Sequence, residues 1–167
     1  EPMPNLQLTA PRDPRDWVFG QVSGAATAQP LNPSGDWSKF TDLVFKERQW
    51  WRGPNNTIQD GYYCVTISAL HCIELQEALH TNASATNHDE HFTAVMSGTV
   101  PRVGNSLVKV AETIRRDGII TQRFDASGLT EEQFYAKAPA DGDLADGQKW
   151  LAENTYSWEW VNPDDVS

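Results

Sequence analysis

The chain has 167 residues, which is enough for one domain with a hydrophobic core or for one half of a two-lobed protein. Apolar residues make up 39% and charged residues 22% of it, and no run of about eighteen apolar residues occurs, so we expect a soluble globular protein without a membrane span. The 13 basic and 23 acidic residues leave a net charge of −10, which makes nucleic acid and anionic membranes unfavourable partners.

The start of the chain is rich in proline. Residues 1–36 contain six of the ten prolines, and this composition predicts an extended arm rather than regular elements. The pattern from Trp37 to Gln49 predicts a short helix or turn, which the stretch RGPNN ends. A loop is expected from there to Tyr63.

A helix is expected directly after this loop, at residues 64–79. Apolar and small side chains recur there with the 3.6-residue period of an α-helix, and further apolar residues widen the stripe, so we expect a central helix that is buried on most sides. Cys72 would then lie in the core, and Cys64 is either a nucleophile or a small buried side chain. The stripe consists of Cys64, Ile67, Ser68, His71, Cys72, Leu75 and Leu79.

Further helices are expected after a polar loop. Phe92–Met96 suits a short helical turn, and a second loop, SGTVPRVGN, follows it. The pattern of residues 105–116 is that of an amphipathic helix with two arginines in its last turn, and Gly118 suits an αL cap for it. Residues 119–124 are expected to be extended.

The C-terminal part of the chain contains sequence signals for the beginning of two helices. Thr130 and Gln133 have the spacing of a capping box, which predicts a short helix through Tyr135. The stretch APADGDLADGQKW begins a further helix, and the alternation of aromatic and polar residues in TYSWEWV predicts a strand.

Taken in order, these elements resemble the first half of the papain-like cysteine peptidases. In that family the nucleophilic cysteine opens the long central helix, and the residues that follow it have the spacing of Cys64-Val65-Thr66-Ile67-Ser68-Ala69 and Ile73-Glu74. The family's glycine loop, the next helix and the glycine that ends it are similar to Gly104-Asn105, 106–116 and 117–119. The likeness covers roughly residues 36–126, and the stretch LNPSGDW is similar to divergent members found in tailed-phage genomes.

The resemblance implies roles for five residues. Cys64 would be the nucleophile, and a helix N-terminus favours the thiolate form of a cysteine. Gln59 would join the Cys64 backbone N–H in an oxyanion hole, with Gln49 in reserve for the same role. Gly104 and Asn105 would line the substrate cleft.

The sequence departs from the family pattern in two respects. The motif C-G-[SA]-C-[WY] is absent, because Gly61, Tyr62 and Tyr63 precede Cys64 and Val65 replaces the aromatic residue. The catalytic His and Asn of the family lie about 130 to 150 residues after the cysteine. We therefore expect them to be missing from this chain, together with the β-rich second lobe.

The histidines predict no metal site. His88 and His91 could bind a metal at i and i+3 of a helix, with Asp89 or Glu90 assisting, but two ligands do not make a zinc site. We expect no metal and no cofactor. Neither histidine is expected to replace the catalytic one, which the family supplies from its other lobe.

We therefore predict an α+β, mainly helical fold, with the helical left lobe of a papain-like peptidase at 37–140. The arm at 1–36 precedes it, and a helix and strand at 141–167 lead towards the missing lobe. The predicted function is hydrolysis of a peptide or protein substrate through Cys64, with the chain inactive alone. The alternative is a non-enzymatic interaction module, such as a virion-associated protein, whose open face another protein covers. The location stays open between the cytoplasm of an infected host and the virion.

Overall fold

The computed structural model describes residues 47–81, 84–156 and 158. In this part of the chain two short strands precede five α-helices, which confirms the mainly helical α+β class. No helix among these residues is both long and apolar enough to cross a membrane. The strands are β1 (Trp50–Arg52) and β2 (Ile58–Asp60), and the helices are α1 (Cys64–Thr81), α2 (Glu90–Met96), α3 (Leu107–Asp117), α4 (Glu131–Ala136) and α5 (Asp141–Glu153).

Two terminal predictions lie wholly or partly outside the described residues. The arm at 1–36 lies outside them, and so does most of the helix or turn expected from Trp37, of which residues 47–49 are described and are not helical. Of the strand expected at the C-terminal end, Thr155, Tyr156 and Trp158 are described, and none of these three belongs to a strand.

Strands β1 and β2 form an antiparallel hairpin in the region expected to be a loop. Trp51 pairs with Gln59 at its centre, and a 3₁₀ turn at Pro54–Asn56 joins the strands. Strands of three residues are too short to show a two-residue period, so the sequence alone does not reveal them. The buried Trp51 donates its indole N–H to the Leu129 carbonyl over 2.8 Å, which fastens the hairpin to the loop before α4.

Helix α1 confirms the helix predicted at 64–79. Its burial differs from the prediction, because α2 and α3 pack against one side of it. The prediction that Cys72 lies in the core is wrong, since a stripe that includes small residues does not indicate which face meets the neighbouring helices. The opposite side carries an exposed row spaced by four residues: Ser68, Cys72, Gln76 and His80.

The main hydrophobic core lies between α1 and α3. Helix α3 confirms the amphipathic helix predicted at 105–116, and it begins after Ser106, whose hydroxyl accepts a hydrogen bond from the Lys109 N–H. Its buried face meets the buried face of α1, so each helix covers the apolar stripe of the other. The core residues are Val65, Leu70, Ile73, Val110, Ile114 and Ile119.

Two glycines meet where α3 crosses α5. Gly118 has a φ of 76° and a ψ of −163°, so it ends α3 with a positive φ but not in the αL conformation predicted. A Cβ on Gly118 would overlap the Gly147 carbonyl, and a Cβ on Gly147 would overlap the Asp117 carbonyl. This close approach explains a glycine inside α5, where it costs about 1 kcal/mol relative to alanine.

Helices α4 and α5 confirm the two helices predicted near the C-terminal end. The Thr130 side chain accepts from the Gln133 N–H, and the Gln133 side chain accepts from the Thr130 N–H over 2.9 Å, which is the predicted capping box. Phe134 of α4 lies in a second apolar cluster with Trp51 and Tyr63. The hairpin, α4 and the start of α1 therefore share one small core.

The buried carboxylate of Asp89 connects two separate segments. It caps α2 by accepting from the Phe92 N–H over 2.9 Å, and it also accepts from the backbone N–H groups of Arg123 at 2.9 Å and Phe124 at 2.8 Å. The Asp89 N–H in turn donates to the Ile120 carbonyl over 2.9 Å. The extended conformation predicted for residues 119–124 is interrupted by a bend at Gln122, although Thr121 forms an isolated antiparallel bridge with His88.

Replacing Asp89 with alanine should lower the free energy of unfolding by about 3 kcal/mol or more, because three backbone N–H groups in or near the core lose their acceptor. Thr130→Ala is the matched control, since it removes an exposed helix cap, which costs about 1 kcal/mol. Urea unfolding of both variants measures the difference. A loss for Asp89→Ala no greater than that for Thr130→Ala would contradict the role given to this carboxylate.

Candidate active site

Cys64 is the first residue of α1. The Ile67 N–H donates to the Tyr63 carbonyl over 3.1 Å, which is the first bond of the helix, so the N–H groups of residues 64–66 have no acceptor within it. The Cys64 side chain is half-buried and packs against the main core. The thiol therefore lies at the positive end of an 18-residue helix and retains access to solvent.

The loop that leads into Cys64 has an unusual backbone. Tyr62 has a φ of 54°, which is uncommon for a bulky residue and persists only where the surroundings hold it. Its N–H donates to the Asp60 carboxylate over 2.9 Å. The Gly61 N–H donates to the Gln49 carbonyl over 2.6 Å, and the Gly61 carbonyl accepts from the Tyr135 hydroxyl. These bonds hold the approach to Cys64 in one shape.

Tyr63 anchors the start of α1 in the smaller core. Its ring stacks on Phe134 with 5.6 Å between the ring centroids, and its hydroxyl donates to the Arg48 carbonyl over 3.2 Å. Burial, followed by the nearby Glu90 and Glu47 carboxyls, raises the pKa of Tyr63 above its ordinary value, so the phenol stays neutral. A neutral, stacked ring directly before Cys64 fixes where the helix begins.

Gln59 is occupied by contacts within the fold. Its Nε2 donates to the Thr57 hydroxyl over 3.0 Å, and its Oε1 accepts from the N–H of Glu131, the first residue of α4, over 3.1 Å. Gln59 thus caps α4 from the hairpin. The role of Gln59 as an oxyanion donor stays a prediction. In that role, Nε2 would give up its hydrogen bond to the Thr57 hydroxyl and donate to the substrate oxygen instead.

Gln49, the reserve residue for that role, contacts the same loop. Its Nε2 donates to Asp60 over 3.5 Å, and its Oε1 is buried with no hydrogen-bond partner among the described residues. Because the Gln49 carbonyl also holds Gly61, both glutamines lie beside the segment before Cys64. The structure thus places both beside the loop that precedes the predicted nucleophile.

Gly104 and Asn105 belong to a tight turn. Gly104 forms an isolated antiparallel bridge with Val100 and has a φ of 93°. The Asn105 side chain is 1% exposed and donates to Ser97 and to the Thr99 hydroxyl, at 2.9 and 3.2 Å. Asn105 therefore shapes the turn from within, and its place in a substrate cleft stays a prediction.

An ion pair connects this turn to α4. The Nε of Arg102 lies 3.8 Å from Oε2 of Glu131, whose backbone N–H is bound by Gln59. The turn that carries Gly104 and the strand that carries Gln59 therefore meet at the start of α4. Val100, Val103 and Leu107 are exposed apolar residues of the same turn region.

All four histidines of the chain are described, and none of them hydrogen-bonds to Cys64. His71 and His80 lie 7 and 16 residues further along α1, which is roughly 10 and 24 Å of helix rise. His88 pairs with Glu77 at 2.9 Å, and Glu77 also lies in the second half of α1. The described histidines therefore provide no base for the thiol.

His91 packs against Phe134 and Phe124, and these contacts occupy its ring. Its Nε2 hydrogen-bonds to the Phe134 carbonyl over 2.9 Å, and its ring stacks on Phe124 with 3.5 Å between centroids. Burial lowers the pKa of His91, so the ring is neutral. The Phe134 ring lies between His91 and Tyr63, since it contacts both.

Two buried glutamates are features that the sequence did not predict. Glu74 of α1 accepts from the His88 N–H over 3.1 Å, and burial raises its pKa. Burial and a hydrogen bond with Glu47 raise the pKa of Glu90 to about 9, so this carboxyl is protonated at neutral pH. In the described part of the chain, no three or more His, Cys, Asp or Glu side chains are arranged to hold a metal.

Glu90 should make the chain less stable as the pH rises. The unfolded chain ionises this carboxyl above its ordinary pKa of 4.5, whereas the folded chain keeps the proton up to about 9, so unfolding releases a proton in this interval and becomes easier. The wild-type chain should therefore lose stability between about pH 5 and pH 8, whereas Glu90→Gln should not lose this contribution. The unfolding free energy of Glu90→Gln minus that of the wild type should rise by about 1 kcal/mol or more over this interval.

Urea unfolding at the two pH values measures this change. Glu132→Gln, which alters an exposed carboxyl of α4, is the control and should follow the wild-type pH dependence. If Glu90→Gln and Glu132→Gln respond equally to pH, the buried carboxyl is not protonated in the folded chain.

Comparisons with protein-family models, curated proteins and solved structures give no match to this chain. An assignment of function therefore depends on the residues themselves. The relevant ones are Cys64, at the start of the longest described helix, and the hydrogen-bonded loop that precedes it.

Proposed function

We propose that this chain is the nucleophile-bearing helical lobe of a papain-like cysteine peptidase. The single observation that carries the proposal is that Cys64 is a half-exposed first residue of α1, approached through a loop with a left-handed Tyr62. The matches in spacing on both sides of Cys64 add to this observation. A rigid loop before a helix N-terminus is a suitable position for a nucleophile, because the backbone needs little reorganisation when the nucleophile reacts.

The proposed chemistry is acyl transfer. The Cys64 thiolate attacks the peptide carbonyl, and its Sγ forms a bond to that carbon while the carbonyl electrons move to oxygen. The Cys64 backbone N–H, which has no acceptor in the helix, can donate to this oxyanion. Collapse of the intermediate expels the amine and leaves a thioester on Cys64, which water then hydrolyses.

A general acid must protonate the departing amine, and the four histidines of this chain do not reach Cys64. Another polypeptide segment would have to provide that imidazole. The chain by itself is therefore expected to leave amide substrates intact, although Cys64 remains a reactive thiol.

A second function is favoured by a different observation. The amide side chains of Gln59 and Asn105 are both satisfied by contacts within the fold, which suits a peptidase-like lobe that serves as a non-enzymatic interaction module. In that case the helix and its loop would be retained for their shape alone. The two functions differ in what they require of Cys64.

The rates of alkylation by iodoacetamide distinguish the two functions. If Cys64 is a nucleophile, it should react severalfold faster than Cys72, because only Cys64 lies at a positive helix end. Exposure alone favours the opposite order, since Cys72 is exposed and Cys64 is half-buried. The variants Cys64→Ser and Cys72→Ser, followed by mass spectrometry, assign each rate to one thiol. Faster reaction of Cys72 would support the interaction module and contradict the peptidase.

A further inference from the structure

Two neighbouring segments carry most of the exposed apolar side chains. Six large apolar residues are exposed in the described part of the chain, and five of them lie on the hairpin or in the turn region around Gly104. These segments meet at the start of α4, where Gln59 and Arg102 both contact Glu131. We call the region that they form the hairpin–turn surface, and its apolar residues are Trp50, Ile58, Val100, Val103 and Leu107.

The register of the hairpin gives it one buried and one exposed face. Side chains alternate along a strand, and residues opposite each other on paired strands share a face. Arg52 lies opposite Ile58, and Trp50 lies opposite Asp60. Trp51 on the other face is buried, whereas Trp50, Arg52 and Ile58 are exposed. Ile58 is 63% exposed, so its side chain is open to a partner.

Two arginines of this region have no acidic partner. The guanidinium carbon of Arg48 lies 4.9 Å from the centroid of the Trp50 ring, and Arg52 donates from Nη1 to the Asn56 carbonyl over 3.1 Å. Both arginines are exposed, and neither forms an ion pair within the described part of the chain. The carboxylate of Asp60, on the same face, already accepts a hydrogen bond from the loop that follows it. The two guanidiniums therefore keep free donors that reach solvent.

This combination of side chains is typical of protein interfaces. Aromatic residues and arginine are enriched there, and neighbouring exposed apolar residues mark interaction sites. On α3 and after it, by contrast, Arg115, Arg116 and Arg123 are each paired with a carboxylate of the chain. Unpaired guanidiniums beside exposed apolar side chains thus favour a partner that brings carboxylates and apolar groups together.

We propose that the hairpin–turn surface binds an acidic segment of a partner protein that also carries apolar side chains. Its carboxylates pair with Arg48 and Arg52 in charge-assisted hydrogen bonds, and its apolar side chains cover Trp50 and Ile58. The net charge of −10 opposes an acidic partner, but salt at about 0.15 M screens this repulsion beyond about 8 Å, so the direct contacts decide. This surface goes beyond the proposed peptidase function and does not depend on Cys64.

Isothermal titration calorimetry of the full chain with unlabelled peptides, at about 0.15 M salt, tests the proposal. The probe is Gly-Glu-Leu-Glu-Leu-Glu-Gly with both ends blocked. A peptide with glutamine in place of each glutamate keeps the shape and removes the charge. We expect the glutamate peptide to bind at least about tenfold more tightly than the glutamine peptide. This comparison uses the wild-type chain alone and so is independent of how any variant folds.

Two pairs of variants locate the binding site. Arg52→Gln should weaken binding of the glutamate peptide about tenfold, whereas Lys149→Gln, which removes the same charge from an exposed position on α5, should not change it. Ile58→Ser should weaken binding about fivefold because it removes apolar contact area. Leu144→Ser, the matched change at the exposed apolar residue of α5, should leave the affinity as it is.

The proposal is overturned if the glutamine peptide binds as tightly as the glutamate peptide, or if either variant of the surface has no larger effect than its control on α5. Binding of a single-stranded oligonucleotide more tightly than the glutamate peptide would also overturn it. So would a dimer of the chain alone that Ile58→Ser disperses, because the surface would then be covered by a second copy. Absence of peptide binding at millimolar concentration has the same consequence.

Discussion

The described fold depends on the carboxylate of Asp89. It accepts three backbone hydrogen bonds, one from the start of α2 and two from residues 123 and 124, so a single side chain connects segments 34 and 35 residues apart. With α2 held there, His91 reaches the Phe134 carbonyl, and Phe134 stacks on Tyr63. The position of Cys64 thus follows, through three side-chain contacts, from a buried acid that is distant in the sequence. Without the Asp89 carboxylate, the three N–H groups that it binds would need water as an acceptor, and admitting water would disrupt the packing of the core.

Two polar side chains that the proposed peptidase function would place near the substrate serve the fold in this structure. Gln59 joins the hairpin to α4, and Asn105 holds its turn from inside. For Gln59, donation to the Thr57 hydroxyl would compete with donation to a substrate oxyanion, and the hydrogen bond to the charged oxygen is the stronger of the two. Under the proposed function, Gln59 exchanges the Thr57 hydroxyl for substrate while the loop before Cys64 keeps its shape, whereas the Asn105 side chain, which is 1% exposed, remains inside its turn.

The sequence predicts the helices well and the burial less well. Helical period, the Thr130 capping box and the position of Cys64 are local signals, and the structure confirms each of them. The hairpin was not predictable from the sequence, because strands of three residues are too short to show an alternating pattern. The exposure of Cys72 and the burial of Glu74 and Glu90 depend on which helices pack together, and a single helix does not encode that. Likewise, the spacing of Gln59 says nothing of its contact with Glu131, 72 residues away.

The nucleophilic role of Cys64 is tested most directly by trapping its acyl form. A peptide p-nitrophenyl ester is a suitable substrate, because nitrophenolate leaves without a proton and the reaction needs no histidine. Rapid acid quench followed by peptide mapping should find a thioester on Cys64, retained in Cys72→Ala and absent from Cys64→Ala, with one nitrophenolate released per chain in the first turnover. A thioester on Cys72, or no adduct on Cys64 in the folded chain, would contradict the account.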